Sequence, residues 1–424
     1  MESSLTSKIV QSVAAGFDAQ IQFTADLTRS PSVRGAEAPA QDIMARAYAQ
    51  RGLAVDRWQI DVDAIRHLPG FSPVTTSYEN AWNVVGSHRS KTASGRSLIL
   101  QGHIDVVPTG PLDMWSRPPF DATQLDGWLY GRGAGDMKAG LVANLFALDA
   151  LQRIGLEPAA DVYFQSVIEE ECTGNGALAC LARGYRGQAA LITEPSDAYL
   201  QSAQVGVMWF QVKVRGKPAH VAVAGTGANA IEACFPIVTA LHVLEHRWNE
   251  QGHESFAGHK HPLNFVLSKI EGGDWTSSVP SWCTFDMRVA MFPGMDLADA
   301  RRQIEQTVAD AARADPFLSK NPPQLVYHGF QAEGYVLPAG SAAQTVLAQC
   351  HQQVTGHALQ TFAGTGTTDA RFFGLYADIP ALVYGPNAEN IHAFDERVEL
   401  SSILQVTQTV ALFIAQWCGV AVTS

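Results

Sequence analysis

The feature of this sequence that most constrains its fold is the alternation of short apolar runs with helical stretches over the first 200 residues. Three of these runs end in turn residues: SLILQGHIDVVP from Ser97, DVYFQSVIEEE from Asp161 and AALITEP from Ala189. Between the first two, MKAGLVANLFALDALQRIG from Met137 is rich in good helix formers, with glycine and proline beyond its end. This rhythm predicts an α/β domain with a largely buried, mostly parallel central sheet.

The pattern changes after about residue 205. VMWFQVKVRG from Val207 alternates apolar and polar residues like a half-exposed strand, and a long helix with one internal proline follows from Ala228. The order then continues as strand, strand, helix and strand before the first pattern returns. We therefore predict a discontinuous α/β domain over 1–205 and 332–424, with an inserted α+β domain of βαββαβ, ferredoxin-like topology over 206–331.

Composition restricts the partners of this chain. Its 29 Lys and Arg stand against 41 Asp and Glu, a net charge of −12, and such a surface repels the phosphates of nucleic acids. Six dispersed cysteines without a CxxC pair favour a reducing compartment over a disulfide framework. The N-terminal segment spaces its apolar residues like an amphipathic helix, not a signal peptide, and no run approaches the length of a membrane span. We expect a cytoplasmic protein without nucleic-acid or membrane partners.

Acidic and imidazole side chains stand near the ends of the apolar runs, where an α/β sheet presents its loops to a ligand. They are His103, Asp105, Asp136, Glu169, Glu170, Glu171, Glu194 and His392. Taken singly, each of these residues more often has a structural role than a catalytic or metal-binding one. A histidine two residues before an aspartate at a strand end, however, lets the carboxylate hold one imidazole nitrogen while the other binds a metal.

The glutamate triplet strengthens the case for a metal, because it follows the apolar run YFQSVI directly. Burying that much negative charge without cations costs several kcal/mol per ion. Carboxylate oxygens and imidazole nitrogens suit hard or borderline divalent cations, with no thiolate required.

The order and wording of the motifs resemble one family closely, the zinc-dependent M20 metallopeptidases and deacylases. That family includes acetylornithine deacetylase, succinyl-diaminopimelate desuccinylase, aminoacylase-1 and the glutamate carboxypeptidases. The resemblance extends from GHIDVVP through WSRPPFDATQLDGWLYGRGAGDMK to TGTTDARFF and NIHAFDERV. It implies a di-zinc aminopeptidase-like catalytic domain, and a lid and dimerisation domain in the insert.

Carried over residue by residue, the resemblance implies two divalent metal ions, Zn²⁺ in first place with Co²⁺ or Mn²⁺ as alternatives. Both metals would share the carboxylate of Asp136. One would also be held by His103 and Glu194, and the other by Glu171 and His392.

The same resemblance implies the catalytic residues. Asp105 would orient the first histidine ligand. The family pattern Asp-Glu-Glu stands here as Glu169, Glu170 and Glu171, and aligning the glycine turn that follows makes Glu170 the general base and Glu171 the ligand. A base that touches no metal can take the proton of a metal-activated water and return it to the leaving amine.

The insert and a late loop supply the remaining candidates. His220 in KPAHVAVAG matches a histidine that reaches the partner subunit's active site and hydrogen-bonds the developing oxyanion, which implies a homodimer through the lid. Arg288 in TFDMRVA matches an arginine that binds a substrate carboxylate. Gly366 in AGTGTTDARFF matches a substrate-side loop together with Gly364 and Asp369.

Two further features are interpreted as structural. His253, His259 and His261 cluster in HESFAGHKH, and without carboxylate partners they indicate a solvated loop more than a metal site. Cys172, beside the glutamate triplet, is interpreted as a small turn residue.

These observations predict a metal-dependent amidohydrolase that cleaves the amide bond of an N-acyl amino acid or dipeptide-like small molecule. One alternative keeps this chemistry but acts on an N-formyl aminopyrimidine or an aromatic amine. Another is an inactive metal-binding or assembly protein, against which the intact Glu170 and the five ligand positions argue.

Overall fold

The first part of the chain alternates helices and strands in this computed structural model, which describes residues 3–91 and 94–423. In chain order the elements are α1 (Ser3–Ala15), α2 (Phe17–Thr28), α3 (Ala38–Gln50), β1 (Ala54–Gln59), α4 (Val62–Ile65), β2 (Trp82–His88), β3 (Leu98–His103), β4 (Thr123–Leu125), β5 (Trp128–Tyr130), α5 (Ala139–Arg153), β6 (Leu156–Pro158), β7 (Val162–Val167), α6 (Asn175–Ala182), β8 (Ala189–Ile192) and β9 (Leu200–Gln204). Helix α5 is rich in Ala and Leu and is buried on almost every face, as its sequence predicts.

The N-terminal segment differs from its sequence prediction, because it forms two helices and not one. The break falls at Gly16, whose backbone (φ −102°, ψ 3°) leaves the helical region. The guanidinium of Arg153 packs where a side chain at Gly16 would lie, and it donates to the carbonyl of Ser12 at 2.5 Å. This contact fixes the break between α1 and α2 against the end of α5.

The middle of the chain forms a second sheet with its own apolar core. Its elements are β10 (Gly206–Arg215), α7 (Ala230–Gln251), β11 (Val266–Gly272), β12 (Trp282–Met291), α8 (Leu297–Arg313) and β13 (Gln324–Ala332). The strand order β11-β12-β10-β13 is antiparallel throughout and gives the expected βαββαβ topology. Alternate residues of β10 are buried, as its alternating sequence predicts, and α7 packs against this strand. The domain limits at 206 and 331 stay a prediction.

The last part of the chain returns to the first sheet. Its elements are β14 (Tyr335–Val336), α9 (Ala342–Thr355), β15 (Thr361–Gly364), α10 (Ala370–Ala377), β16 (Ala381–Val383), β17 (Ala388–Glu389), β18 (Arg397–Glu399), α11 (Leu400–Trp417) and β19 (Val420–Val422). Helix α11 packs on α5, α9 and α1, so the two ends of the chain share one core. Within the described ranges no helix is both long and apolar enough to cross a membrane.

The central sheet decides where chemistry can occur. Its order is β1-β2-β7-β3-β8-β16, and the last four strands are parallel, which confirms the predicted α/β class. The neighbouring strands β7, β3 and β8 therefore end at the same edge. The glutamate triplet, His103 and Glu194 come from these three strand ends, and a ligand site is expected there.

Candidate metal centre

Six predicted side chains converge at this edge of the sheet: His103, Asp136, Glu170, Glu171, Glu194 and His392. Asp136 lies between the two imidazoles. Its Oδ1 is 3.0 Å from His103 Nε2, and its Oδ2 is 3.4 Å from His392 Nε2. A carboxylate in this position presents one oxygen to each side of the cluster.

The His103 side of the cluster is deeply buried. His103 ends β3 with a fully buried side chain, and its Nε2 lies 3.6 Å from Glu194 Oε2 and 3.9 Å from Glu170 Oε2. Donor atoms of these three residues all lie within 4.8 Å of one another. Three donors at this spacing can surround one small cation.

The His392 side is open to solvent. His392 lies in the loop between β17 and β18 with φ +61°, and 53 % of its side chain is exposed. Its Nε2 is 2.9 Å from Glu171 Oε2. Asp136, Glu171 and His392 thus form a second group of donors that meets the first group at Asp136.

Asp105 contacts the first imidazole through its backbone and its carboxylate, and the orienting role of that carboxylate stays a prediction. His103 Nδ1 lies 2.9 Å from the backbone carbonyl of Asp105 but 3.6 Å from its carboxylate. Because a carbonyl only accepts, Nδ1 donates to it, and Nε2 faces the cluster. The Asp105 carboxylate also accepts the backbone N–H of Glu171 at 3.1 Å.

The three consecutive glutamates have three different surroundings. Glu169 has a positive φ of +68°, so the chain turns sharply after β7. Its carboxylate points away from the cluster and is bound by Arg34 at 2.5 and 2.8 Å, by Tyr78 at 2.5 Å and by Thr173 at 2.9 Å. Only Glu170 and Glu171 face the imidazoles. Sequence reasoning missed Arg34 and Tyr78, and no motif around either residue marks such a partner.

The electrostatics of the cluster show an excess of buried negative charge. Burial raises the pKa of Glu170 well above its ordinary value and that of Glu194 to about 7, although the charge of His103 opposes both shifts. Burial also acts to raise the pKa of Asp136, but hydrogen bonds from His103 and His392 outweigh it and hold that pKa low. Burial lowers the pKa of His392, yet Glu171 and Asp136 together raise it to about 11.

These residues fit divalent cations. No ion pair in the described part of the chain joins any of the four carboxylates to a lysine or arginine, so their ion-pair partners there are the two imidazoles. Among the residues that the structure describes, the buried Oε1 of Glu194 has no hydrogen-bond partner. Carboxylate and imidazole donors without a thiolate suit Zn²⁺, Co²⁺ or Mn²⁺.

Asp369, which the sequence left without a role, supports the strand that carries His103. Its carboxylate accepts a hydrogen bond from Gln101 at 2.5 Å, two residues before His103 on β3. Burial raises the pKa of Asp369 to about 6. It therefore lies behind the cluster and not among its donors.

Two substrate-side candidates lie next to each other. Arg288 on β12 donates to the carbonyls of Asn264 at 3.3 Å and Thr365 at 3.2 Å, and burial lowers its pKa. No carboxylate pairs with it among the described ion pairs, so its charge is available. Gly366 follows Thr365 in an exposed loop, where a Cβ added to the glycine would have open space for at least 4 Å around it.

His220 is not part of the cluster in one chain. It is exposed in the insert, and its Nδ1 accepts the backbone N–H of Ala222 at 3.1 Å. None of the hydrogen bonds and ion pairs described for the chain joins it to the six clustered residues.

The interpretation that the histidine-rich loop lacks carboxylate partners is wrong for His261. Its Nε2 lies 2.9 Å from Glu245 Oε1, and the other carboxylate oxygen is 2.7 Å from His242 Nδ1. Glu245 lies on α7, 16 residues before His261, so spacing along the sequence did not reveal the contact. The pair attaches the loop to the helix.

Comparisons with known proteins place this site in context. The sequence profile of Peptidase family M20/M25/M40 matches residues 99–416. N-formyl-4-amino-5-aminomethyl-2-methylpyrimidine deformylase from Halalkalibacterium halodurans is 31% identical over 413 residues, 92% of this chain and 91% of the relative. Succinyl-diaminopimelate desuccinylase from Acidovorax ebreus is 28% identical over 394 residues, 90% of this chain and 93% of the relative.

Solved structures show the same fold. Human carnosine dipeptidase 1 aligns with a TM-score of 0.76 at 15% identity, over 97% of this chain and 99% of that one. A dipeptidase from Saccharomyces cerevisiae aligns with a TM-score of 0.77 at 15% identity, over 97% and 98%.

Proposed function

This chain belongs to peptidase family M20/M25/M40 and is a metallohydrolase that cleaves amide bonds, and we propose that its substrate is an N-acyl amino acid or a dipeptide-like molecule. Membership confirms the resemblance inferred from the motifs. The observation that carries the substrate proposal is Arg288 on β12, a half-buried cation without an acidic partner among the described residues, which donates a hydrogen bond to Thr365 in the loop before Asp369. A carboxylate on the substrate would complete it.

Asp136 would bridge two divalent metals, with His103 and Glu194 on one and Glu171 and His392 on the other. When bound, such metals polarise an amide carbonyl and make water acidic enough to lose a proton. We propose Zn²⁺ as the metal in first place, as the resemblance to the zinc-dependent family implies, and the donor set also suits Co²⁺ or Mn²⁺.

Glu170 would move the proton. Its carboxylate lies beside His103 and Glu194, on the His103 side of the cluster and not on the His392 side. From there its carboxylate would accept the proton of the attacking water and pass it to the amide nitrogen as the bond breaks. The backbone carbonyl of Asp105 would keep the His103 tautomer fixed during the reaction.

A homodimer through the insert would complete the site with His220 of the partner subunit. The support is the exposure of large apolar side chains on two elements of the insert, Phe235 and Val243 on α7 and Val266 and Ile270 on β11. Strand β11 is at the edge of its sheet and leaves backbone groups for pairing with a second copy. We also propose a cytoplasmic location, in keeping with six buried free thiols.

A second candidate is the deformylation of an N-formyl aminopyrimidine. The observation that favours it is the identity of 31% and 29% to two such deformylases, from Halalkalibacterium halodurans and Bacillus subtilis, each over 92% of this chain. Such a substrate lacks a carboxylate, so it makes no use of Arg288 as an ion-pair partner.

The experiment is a panel of N-acetyl and N-succinyl amino acids, dipeptides and N-formyl aminopyrimidines, run on Zn²⁺-loaded protein. Arg288→Gln should raise KM about tenfold or more for carboxylate substrates, because a charged hydrogen bond is lost, and should leave their carboxamides unchanged. Arg302→Gln, which breaks an exposed ion pair with Asp299, is the matched control.

A wild-type preference for the N-formyl pyrimidine, unaffected by Arg288→Gln, would establish the second candidate over the first. Failure to cleave any amide in the panel would contradict both.

A further inference from the structure

A buried ion pair between Arg132 and Glu396 lies beside the metal centre. The two side chains are 2% and 1% exposed, and Arg132 Nη1 donates to Glu396 Oε2 at 2.5 Å. Neither residue has a donor atom in the cluster. Buried pairs of this kind are weak evidence for stability, because desolvation offsets most of the attraction. The other contacts of the two side chains therefore indicate the role of this pair.

Glu396 holds the backbone that carries the bridging carboxylate. Its second oxygen, Oε1, accepts the backbone N–H groups of Gly135 at 3.0 Å and Asp136 at 3.1 Å. Asp136 has non-helical backbone angles (φ −111°, ψ 95°), so no regular helical hydrogen bond fixes it there. Glu396 supplies the missing acceptor.

Arg132 holds the loop that carries the exposed histidine. Its Nη2 donates to the carbonyl of Ala393 at 2.9 Å, and Ala393 follows His392 directly. The guanidinium also lies over the ring of Trp115, 5.1 Å from its centroid, which fixes its plane. His392 itself is half exposed and lies at a positive φ, so its position depends on how the loop is anchored.

We propose that the Arg132–Glu396 pair is a positioning device for the second metal, the one assigned to Asp136, Glu171 and His392. One end of the pair terminates on the backbone of Asp136, and the other on the residue after His392. The pair thereby sets the separation between two ligands that come from distant parts of the chain. This inference rests on the proposed two-metal function.

The first test variant is Glu396→Gln. The amide oxygen can still accept hydrogen bonds from Gly135 and Asp136. The amide nitrogen, however, cannot accept from Arg132, so Arg132 loses its ion pair and holds the carbonyl of Ala393 less firmly. The second metal should then bind about 10- to 100-fold more weakly, the usual effect of losing a partner of a metal ligand. The first metal, at His103 and Glu194, should keep its wild-type affinity.

The double variant Arg132→Met with Glu396→Gln separates positioning from stability. It removes both charges, so no unpaired ion stays buried, and it should melt near the wild-type temperature while still losing affinity for the second metal. Asp149→Asn is the matched control. It breaks the half-buried Arg51–Asp149 pair. Arg51 also donates to the carbonyl of Ala47 on α3, and neither residue of the pair belongs to the cluster.

The measurement is calorimetric titration of metal-free protein with Zn²⁺, with metal analysis after dialysis. Wild type and Asp149→Asn should take up two Zn²⁺ per chain, while both site variants keep one and lose affinity for the other. Equal weakening of both steps, or two unchanged steps in the double variant, would overturn the inference and leave the proposed function intact. A wild-type protein that binds fewer than two Zn²⁺ would instead overturn the two-metal function on which the inference rests.

Discussion

The two halves of the donor cluster are built in different ways. His103 and Glu194 come from the ends of adjacent parallel strands, and their side chains are 0% and 9% exposed. Glu171 and His392 come from a turn and a loop, and His392 is 53% exposed. Backbone pairing therefore sets the geometry of the first half, whereas side-chain contacts across the chain set that of the second. We expect the first half to be the tighter and less tolerant of the two metal sites.

The largest effect should follow from a change that removes both halves at once. Asp136→Ala deletes the carboxylate that both sides share, so it should lose both metals and reduce kcat at least about 1,000-fold. Metal analysis and steady-state kinetics of the purified variant check this. Asp113→Ala, in an exposed turn, is the control. Retention of two metals would show that Asp136 is no bridge.

The next prediction separates the neighbours Glu170 and Glu171. Glu170→Gln should keep both metals and reduce kcat about 10²- to 10⁴-fold, because only proton transfer is lost. Glu171→Gln should lose activity and also the metal of the exposed half. Metal stoichiometry beside kcat distinguishes the two variants. The opposite pattern would mean that the base and the ligand are exchanged.

A smaller difference should appear between the two histidines. His392→Ala should keep one tightly bound metal. His103→Ala should weaken metal binding at the buried site, because the paired strand ends there cannot move to compensate for the lost ligand. Titration with a chelator, followed by metal analysis at each step, should also remove the metal of the His392 half first from the wild type. Simultaneous release of both metals would contradict the comparison.

The smallest effect should come from the carboxylate that faces away from the metals. Glu169→Asp shortens the side chain by one methylene, so it cannot reach Arg34 and Tyr78 together and should lower the free energy of unfolding by about 1–2 kcal/mol. Urea unfolding of the variant measures this, with the exposed Glu79→Asp as control. An unchanged unfolding free energy would show that this network does not hold the turn.

The same contrast explains how much could be predicted from the sequence. Strand ends are visible in the sequence because apolar runs stop there, so His103, Glu194 and the glutamate turn could be found. The fold class could be predicted for the same reason. The Arg34–Glu169 and Arg132–Glu396 pairs could not, because each joins residues that meet only after the chain has folded. The Glu245–His261 contact escaped in the same way.

In the proposed centre, Asp136 joins a buried and an exposed metal site. Crystals of the Zn²⁺-loaded protein, measured on both sides of the zinc absorption edge, test it most directly. The account predicts two anomalous peaks about 3.5–4 Å apart, one contacted by His103 and Glu194 and the other by Glu171 and His392, with Asp136 touching both. A single peak, or a second one bound by Glu170 in place of Glu171, would contradict it.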